Sequence, residues 1–248
     1  MKACYYGDTN VGLVRSGNED AFVIQRVGQG PWLLAMVVDG VGGEAGGAIA
    51  ANIACRCIRE HLESIDSENS AEVLQAAVVY ANNSIYERHC NPVFRHMSCV
   101  LSVALLNTET GRMDICHIGD TRIYMLKGGS FDKLTVDHSM VGYMEEKGRL
   151  SELEAMAHPR RNQISRSVGS EPLYLGTDYI YSRVLMLEPP CTLLLCSDGL
   201  YDMVPSLSMV PILEEPTSPE ERVRGLIDAA LAAGGKDNVT AMVIDITE

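Results

Sequence analysis

The sequence predicts an α+β fold in which antiparallel sheets are combined with helices. Short apolar runs typical of strands occur in blocks, and stretches with helical spacing of apolar residues separate the blocks instead of following each strand in turn. Strict alternation of strands and helices would have favoured a parallel sheet. The chain has 248 residues, 46% of them apolar, and no Pro/Ser-rich linker or fixed-period repeat divides it. We therefore expect a single domain spanning residues 1–248.

The N-terminal part predicts two strands followed by two helices. Residues 21–25 and 32–38 are rich in strand-forming side chains, and the turn-forming segment 28–31 lies between them. Apolar residues then recur three or four positions apart in two stretches, 49–62 and 74–85. This spacing predicts two helices, each with one apolar face.

Strands return after the second helix, and one further helix precedes the last strand. The predicted strands are residues 99–106, 112–118, 122–126, 173–181, 191–196 and 240–246. Residues 223–231 carry apolar side chains at i, i+3, i+4, i+7 and i+8, which predicts a helix. Residues 140–161 are polar and helix-like, and we expect them to form a surface excursion from the sheet.

Three aspartates stand where predicted strands meet glycine turns. Asp39 and Asp198 each follow an apolar run and precede a glycine, while Asp237 follows a Gly-Gly-Lys segment and precedes the last strand. If the last strand lies antiparallel to the other two, the three carboxylates can converge at one edge. Clustered carboxylates need a compensating charge, and oxygen ligands suit Mg²⁺ or Mn²⁺ better than zinc or copper. A single Asp-Gly pair is common in ordinary turns, so the prediction depends on the whole set.

Composition excludes several classes of function. The formal charge of -13 disfavours nucleic-acid binding, and two bound divalent cations would bring it to about -9, from -13 plus four. Apolar runs of about eight residues are far shorter than the roughly 20 of a membrane span, and the N-terminus lacks the apolar core of a signal peptide. The eight cysteines are scattered without a C-x-x-C pair, which favours reduced thiols. We expect a cytoplasmic protein without a membrane partner.

Seven motifs together resemble one family. Arg15 lies four residues before the acidic pair Glu19 and Asp20, and an arginine near a metal cluster suits a tetrahedral phosphate. The motifs are R-x-x-N-E-D at 15–20, D-G-V-G-G at 39–43, H-I-G-D-T-R at 117–122, L-T-V-D-H-S at 134–139, N-Q-I-S-R-S-V-G at 162–169, L-L-L-C-S-D-G-L at 193–200 and G-K-D-N-V-T at 235–240. In this order they resemble the metal-dependent serine/threonine protein phosphatases of type 2C, the PPM family. The resemblance covers nearly the whole chain.

The resemblance implies a fold and a metal centre. The fold would be a β-sandwich of two antiparallel sheets flanked by helix pairs, with two Mn²⁺ or Mg²⁺ ions at one end. Asp39 would bridge the ions, Asp198 and Asp237 would complete the shell of one, and the carbonyl group of Gly40 would bind the other. A metal-activated water would attack phosphorus, with no covalent phosphoenzyme.

The resemblance also implies several supporting roles. Glu19 and Asp20 would act through metal-bound waters, and Arg15 would bind the substrate phosphoryl group. Asp120 matches a position that helps to hold a third metal in bacterial relatives, although a turn aspartate is an equal alternative. Residues 140–161 match the mobile flap of the family.

Two positions depart from the family pattern. Val41 stands where many eukaryotic relatives have a histidine that protonates the leaving group, and we expect His138 to be structural instead of filling that role. Met97-Ser98-Cys99 replaces the usual Gly-Thr-Thr, so we expect the local packing to differ. Val41 and the short chain both favour a bacterial type.

The expected partners are phosphorylated proteins and a cognate eukaryote-like serine/threonine kinase, and the expected state is a monomer. Three alternatives remain open. The protein could be a catalytically silent relative that binds phosphoproteins, a related phosphatase acting on a phosphoserine anti-anti-sigma-type regulator, or a phosphodiesterase reached by convergence. The presence of all the acidic motif residues disfavours the silent relative.

Overall fold

The computed structural model describes residues 1–43, 46–65 and 69–248, and it contains two five-stranded antiparallel sheets with helices outside them. The strands are β1 (Lys2–Asn10), β2 (Ala21–Val27), β3 (Trp32–Val41), β4 (Ser98–Asn107), β5 (Arg112–Ile118), β6 (Arg122–Lys127), β7 (Ser130–Lys133), β8 (Tyr181–Met186), β9 (Cys191–Cys196) and β10 (Val239–Thr247). The helices are α1 (Gly46–His61), α2 (Ser70–Tyr86), α3 (Met140–Glu146), α4 (Glu152–Met156), α5 (Asp198–Tyr201), α6 (Ser206–Glu214) and α7 (Pro219–Ala232).

The two sheets face each other as a sandwich. The first has the strand order β1-β10-β9-β6-β7 and the second β2-β3-β4-β5-β8. Side chains alternate between the two faces of each strand, so on β3 Leu33 packs toward the other sheet while Leu34 packs toward the helices. Central strands are therefore covered on both sides, which explains why β3 and β4 are apolar along most of their length.

Three buried clusters separate four layers. One lies between α1 and α2 and the second sheet, another lies between the two sheets, and the third lies between the first sheet and α5 to α7. Met97, the bulky departure from the family pattern, is 2% exposed in the first cluster. The layers confirm the predicted α+β sandwich flanked by helices.

The prediction of a strand at residues 173–181 is wrong. Strand β8 begins only at Tyr181, and Leu173 packs against α2. The backbone of Leu173 pairs with a side chain instead of a strand. The amide group of Asn83 donates a hydrogen bond to Leu173 O at 2.9 Å and accepts one from Leu173 N at 2.9 Å. Strands β1 and β7 and helices α5 and α6 were not predicted.

The predicted excursion at residues 140–161 contains α3 and α4. Ser139 caps α3 by accepting from Gly142 N, and Ser151 caps α4 in a reciprocal pair with Glu154. We keep the name flap for residues 140–161. None of the helices in the described ranges has the length and apolar character that crossing a bilayer requires.

Candidate active site

A cleft of about 200 Å³ opens where the ends of the two sheets meet. The predicted site residues that line it are Arg15, Glu19, Asp39, Gly40, Asp120, Asp198 and Asp237. Asp20, the remaining predicted site residue, is not among the lining residues. The convergence predicted from the sequence is therefore present in the fold.

The route to this convergence differs from the predicted one. Strand β10 pairs antiparallel with β9, which brings Asp237 and Asp198 together at one sheet edge. Asp39 comes from β3 in the opposite sheet, so it does not share that edge. The cleft is thus built by two sheets, and the carboxylates meet across the sandwich.

The Asp39-Gly40 end of β3 lies very close to α1. A β-carbon on Gly40 would come within 2.4 Å of the carbonyl carbon of Gly47 and 2.7 Å of Glu19 O. Only glycine fits such a backbone approach. This explains why glycine follows Asp39. The close approach of Gly40 and Gly47 also holds the first turn of α1 against the cleft.

Within the described part of the chain, Asp39, Asp120 and Asp198 of the cleft take part in no ion pair, and their pKa values are raised. Burial raises the pKa of Asp39 well above its ordinary value, and the neighbouring Asp20 and Asp198 raise it further. Burial likewise raises the pKa of Asp198 well above its ordinary value, with Asp120 adding to the effect. For Asp120, burial and the charge of Asp137 raise the pKa to about 7. The site therefore has a strong affinity for positive charge.

Arg15 binds a carboxylate of the site. One guanidinium nitrogen lies 2.7 Å from Oδ2 of Asp237, and this hydrogen bond raises the pKa of Arg15. The side chain of Arg15 is 51% exposed, so it is free to reorient toward solvent. Oδ1 of Asp237 accepts from the backbone of Asn238 at 2.8 Å. A cation coordinated by Oδ2 would therefore compete with Arg15 for that oxygen.

Asp20 links the two sheets. It directly precedes β2, and its Oδ2 accepts hydrogen bonds from the hydroxyl groups of Ser197 at 2.7 Å and Thr240 at 2.6 Å. Burial raises its pKa to about 6. Asp20 thus holds the β9 and β10 ends that carry Asp198 and Asp237.

Asn238 is a site residue that sequence reasoning missed. Its amide group donates to Val11 O and Gly17 O, both at 2.9 Å, and its Oδ1 accepts from Glu19 N at 2.8 Å. These bonds fix the loop that carries Arg15 and Glu19 onto the start of β10. The position of Asn238 directly after Asp237, inside a quoted motif, was the available signal.

The donor set fits divalent cations. Oδ1 of Asp198 is buried without a hydrogen-bond partner, and the carboxylates around it have raised pKa values. Oxygen ligands of this kind suit Mg²⁺ or Mn²⁺. Within the described residues, no three His, Cys, Asp or Glu side chains already form a group that could hold a metal ion. A cation bound at Asp237 would compete with Arg15 for its carboxylate.

Comparisons with known proteins agree with this geometry. The sequence model of the family described as protein phosphatase 2C matches residues 14–233. Serine/threonine phosphatase stp of Listeria welshimeri is 30% identical over 250 residues, which cover 96% of this chain and 93% of that protein. The crystal structure of the Mycobacterium tuberculosis serine/threonine phosphatase PstP/Ppp has a TM-score of 0.87 at 29% identity and covers 99% of each chain.

A further solved structure bears on the metal. The catalytic domain of PstP in complex with two manganese ions has a TM-score of 0.85 at 27% identity, again over 99% of each chain. The sandwich and its acidic cleft thus define a metal-dependent phosphatase fold. The chain belongs to the protein phosphatase 2C family, as its seven motifs predicted. It is accordingly a serine/threonine protein phosphatase of the PPM type.

Proposed function

We propose that the protein hydrolyses phosphoserine and phosphothreonine in proteins with two Mn²⁺ or Mg²⁺ ions held in the cleft. The observation that carries this proposal is the convergence of Arg15, Asp39, Asp198 and Asp237 from four distant parts of the chain. When bound, the ions supply positive charge and lower the pKa of a coordinated water, so that it can attack phosphorus.

Each acidic residue has its own task in this proposal. Asp39 would be shared between the two ions, Asp198 and Asp237 would help to hold one of them, and the carbonyl group of Gly40 would help to hold the other. Asp20 would act through water, in keeping with the hydrogen bonds that its Oδ2 already accepts from the hydroxyl groups of Ser197 and Thr240. Glu19 would also act through water, and it lines the same cleft.

Arg15 binds the phosphoryl oxygens. Its planar guanidinium group can donate two parallel hydrogen bonds to a phosphate, and it stays protonated throughout the physiological range. To do so it exchanges the carboxylate of Asp237 for the substrate, which its half-exposed position permits. Asp120 is the proposed ligand of a third ion, since it is buried and lines the same cleft.

The biological setting is part of the proposal. A bacterial eukaryote-like serine/threonine kinase would supply the phosphorylated substrates, and the enzyme would work as a monomer in the cytoplasm. The support is the similarity to bacterial serine/threonine phosphatases of about the same length, such as stp of Listeria welshimeri. The flap would form one wall for the substrate protein.

Hydrolysis of a phosphothreonine peptide tests the function. We expect phosphate release with Mn²⁺ or Mg²⁺, none with excess EDTA, and loss of activity in Asp39→Asn and Asp237→Asn. Asp132→Asn is the matched control, because Asp132 lies on β7 away from the cleft. A folded wild-type protein that binds Mn²⁺ but releases no phosphate would overturn the proposal in favour of a silent phosphoprotein-binding relative.

A further inference from the structure

The loop between β5 and β6 carries Asp120 from one sheet to the other beside the cleft. Gly119, which has a φ of 106°, is held by His138 on both of its peptide groups. Gly119 N donates to Nδ1 of the His138 ring at 3.1 Å, and His138 N donates to Gly119 O at 2.6 Å. The hydroxyl group of Tyr201 donates a hydrogen bond to Asp120 O at 3.0 Å. Asp120 is therefore positioned through its backbone.

His138 is also bonded on its far side. Its carbonyl group accepts from Ser165 N at 2.7 Å and from the Ser165 hydroxyl group at 2.9 Å. The next residue, Ser139, pairs with Ile164 in an isolated bridge. Ile164 lines the cleft together with Asp120. His138 thus lies between the Asp120 loop and the chain that returns from the flap.

The ring of His138 has one usable protonation state. Because Gly119 N donates to Nδ1, that nitrogen carries no proton and the neutral ring holds its proton on Nε2. Burial lowers the pKa of His138 to about 3, and the nearby His117 and Arg166 contribute to the lowering. The His117 ring lies 5.0 Å away, centroid to centroid, and limits tilting of the His138 ring. The acceptor at Nδ1 is therefore available at every physiological pH.

We propose that His138 is a positioning residue that fixes the position of the loop carrying Asp120 relative to the chain that returns from the flap. It acts through Gly119 on one side and Ser165 on the other, and it touches neither substrate nor metal. The catalytic part of this inference rests on the proposed function, in which Asp120 holds a third ion. The positional part depends only on the contacts of His138.

Two substitutions of similar size separate the Nδ1 bond from general packing. In His138→Asn the amide oxygen can take the place of Nδ1, whereas in His138→Gln it reaches toward the place of Nε2 and the Gly119 bond is lost. We expect His138→Gln to raise the Mn²⁺ concentration for half-maximal activity by about tenfold, with kcat at saturating Mn²⁺ changed by less than about threefold. His138→Asn should stay close to wild type in both quantities.

Hydrogen exchange of the Gly119 amide gives a second readout that needs neither metal nor activity. In EDTA, we expect this amide to exchange at least about fivefold faster in His138→Gln than in wild type, while His138→Asn keeps its protection. This arm still tests the positioning role if the wild type proves to have no phosphatase activity, so the two proposals can fail separately.

Equal behaviour of the Asn and Gln variants would overturn the inference, because a packing role does not distinguish where the amide oxygen lies. An unchanged Gly119 amide in His138→Gln would overturn it as well. Ser165→Ala provides a milder test from the other side, since it removes only the hydroxyl bond to His138 O. We expect it to raise the Mn²⁺ requirement about threefold, and no change would contradict the link to the returning chain.

Discussion

Two clusters of buried carboxylates lie within one sandwich, and they are balanced in opposite ways. At the base of the flap, Arg122 lies 2.7 Å from Asp137 and 2.9 Å from Glu145, and Lys133 lies 3.2 Å from Glu145. Arg122 also lies over the ring of Tyr201, with 3.7 Å from its guanidinium carbon to the ring centroid. The positive charges that balance this cluster are therefore the side chains of Arg122 and Lys133.

The cleft has less internal compensation, which comes from the pair between Arg15 and Asp237. Among the described residues, Asp39, Asp120 and Asp198 take part in no ion pair. Burial alone would raise the pKa of Asp137, but Arg122 and Lys133 together outweigh it and the pKa lies below its ordinary value. For Asp39 and Asp198 in the cleft, the neighbouring carboxylates add to the effect of burial, and the pKa values rise. The flap base is therefore a structural network, while the cleft is built to take its cations from solution.

The largest expected effect is on activity. Asp39→Asn and Asp198→Asn should each lower kcat/KM by roughly a thousandfold or more, because each removes several kcal/mol of metal-dependent stabilisation. In EDTA the same variants should unfold at an equal or higher urea concentration than wild type, since the substitution relieves repulsion between buried carboxylates. Steady-state kinetics and urea unfolding check the pair of results. Clear destabilisation of both variants in EDTA would contradict the comparison.

The flap base should respond in the opposite way. Asp137→Asn removes a buried partner of Arg122 and should destabilise the protein by about 3 kcal/mol, with or without Mn²⁺. Urea unfolding in EDTA and in Mn²⁺ measures this. The control is Lys127→Met, which breaks the surface pair with Glu188 and should change little. A loss of stability that Mn²⁺ restores would indicate that Asp137 belongs functionally to the metal site.

The pH dependence of stability should follow from the cleft. Asp39, Asp120 and Asp198 have folded-state pKa values above their unfolded values, so the folded protein holds protons that the unfolded chain has released. Their contribution is complete below the unfolded pKa and is lost as the pH rises through the folded values. In EDTA we expect stability to fall between pH 6.5 and pH 8, the range in which Asp120, with a folded pKa of about 7, loses its proton.

The buried histidines affect the pH dependence of stability mainly below this pH window. Burial lowers the pKa of His117 to about 4 and that of His138 to about 3, so both rings oppose the trend mainly below about pH 6.5. Mn²⁺ should flatten the curve, because the cations replace the protons. Unfolding titrations at several pH values test this, and stability that rises with pH in EDTA would contradict it.

The smallest expected effect concerns one cation of the flap base. Lys133→Met should cost about 1 kcal/mol, because Arg122 still pairs with both Asp137 and Glu145. Thermal unfolding of Lys133→Met and Asp137→Asn side by side shows which substitution costs more stability. A larger loss for Lys133→Met than for Asp137→Asn would show that Arg122 is not the main source of compensation.

Local patterns in the sequence predicted much of the fold but not its long-range pairing. Apolar runs located β3, β4 and β9, since central strands of a sandwich are buried on both faces. The failure at residues 173–181 has a specific cause, because side-chain bonds from Asn83 replace a strand partner there. No local pattern reports such a contact 90 residues away.

The candidate site was predicted to a similar extent. Glycine turns after Asp39 and Asp198 marked the acidic cleft, and the family resemblance added Asp120, which lines it. The sequence did not show that Asp20 joins Ser197 and Thr240, because these contacts span 177 and 220 residues. Roles of this kind depend on the register of β9 against β10, which only the fold supplies.

Calorimetric titration of Mn²⁺ into EDTA-treated, desalted protein tests the central claim most directly. We expect two ions to bind near pH 6.5 with release of protons, because the carboxylates of Asp39 and Asp198 must give up their protons to the incoming cations. The heat should vary with the ionisation enthalpy of the buffer, and Asp39→Asn should lose at least one of the two ions. Binding of two ions with no proton release, or no loss of stoichiometry in Asp39→Asn, would contradict the account.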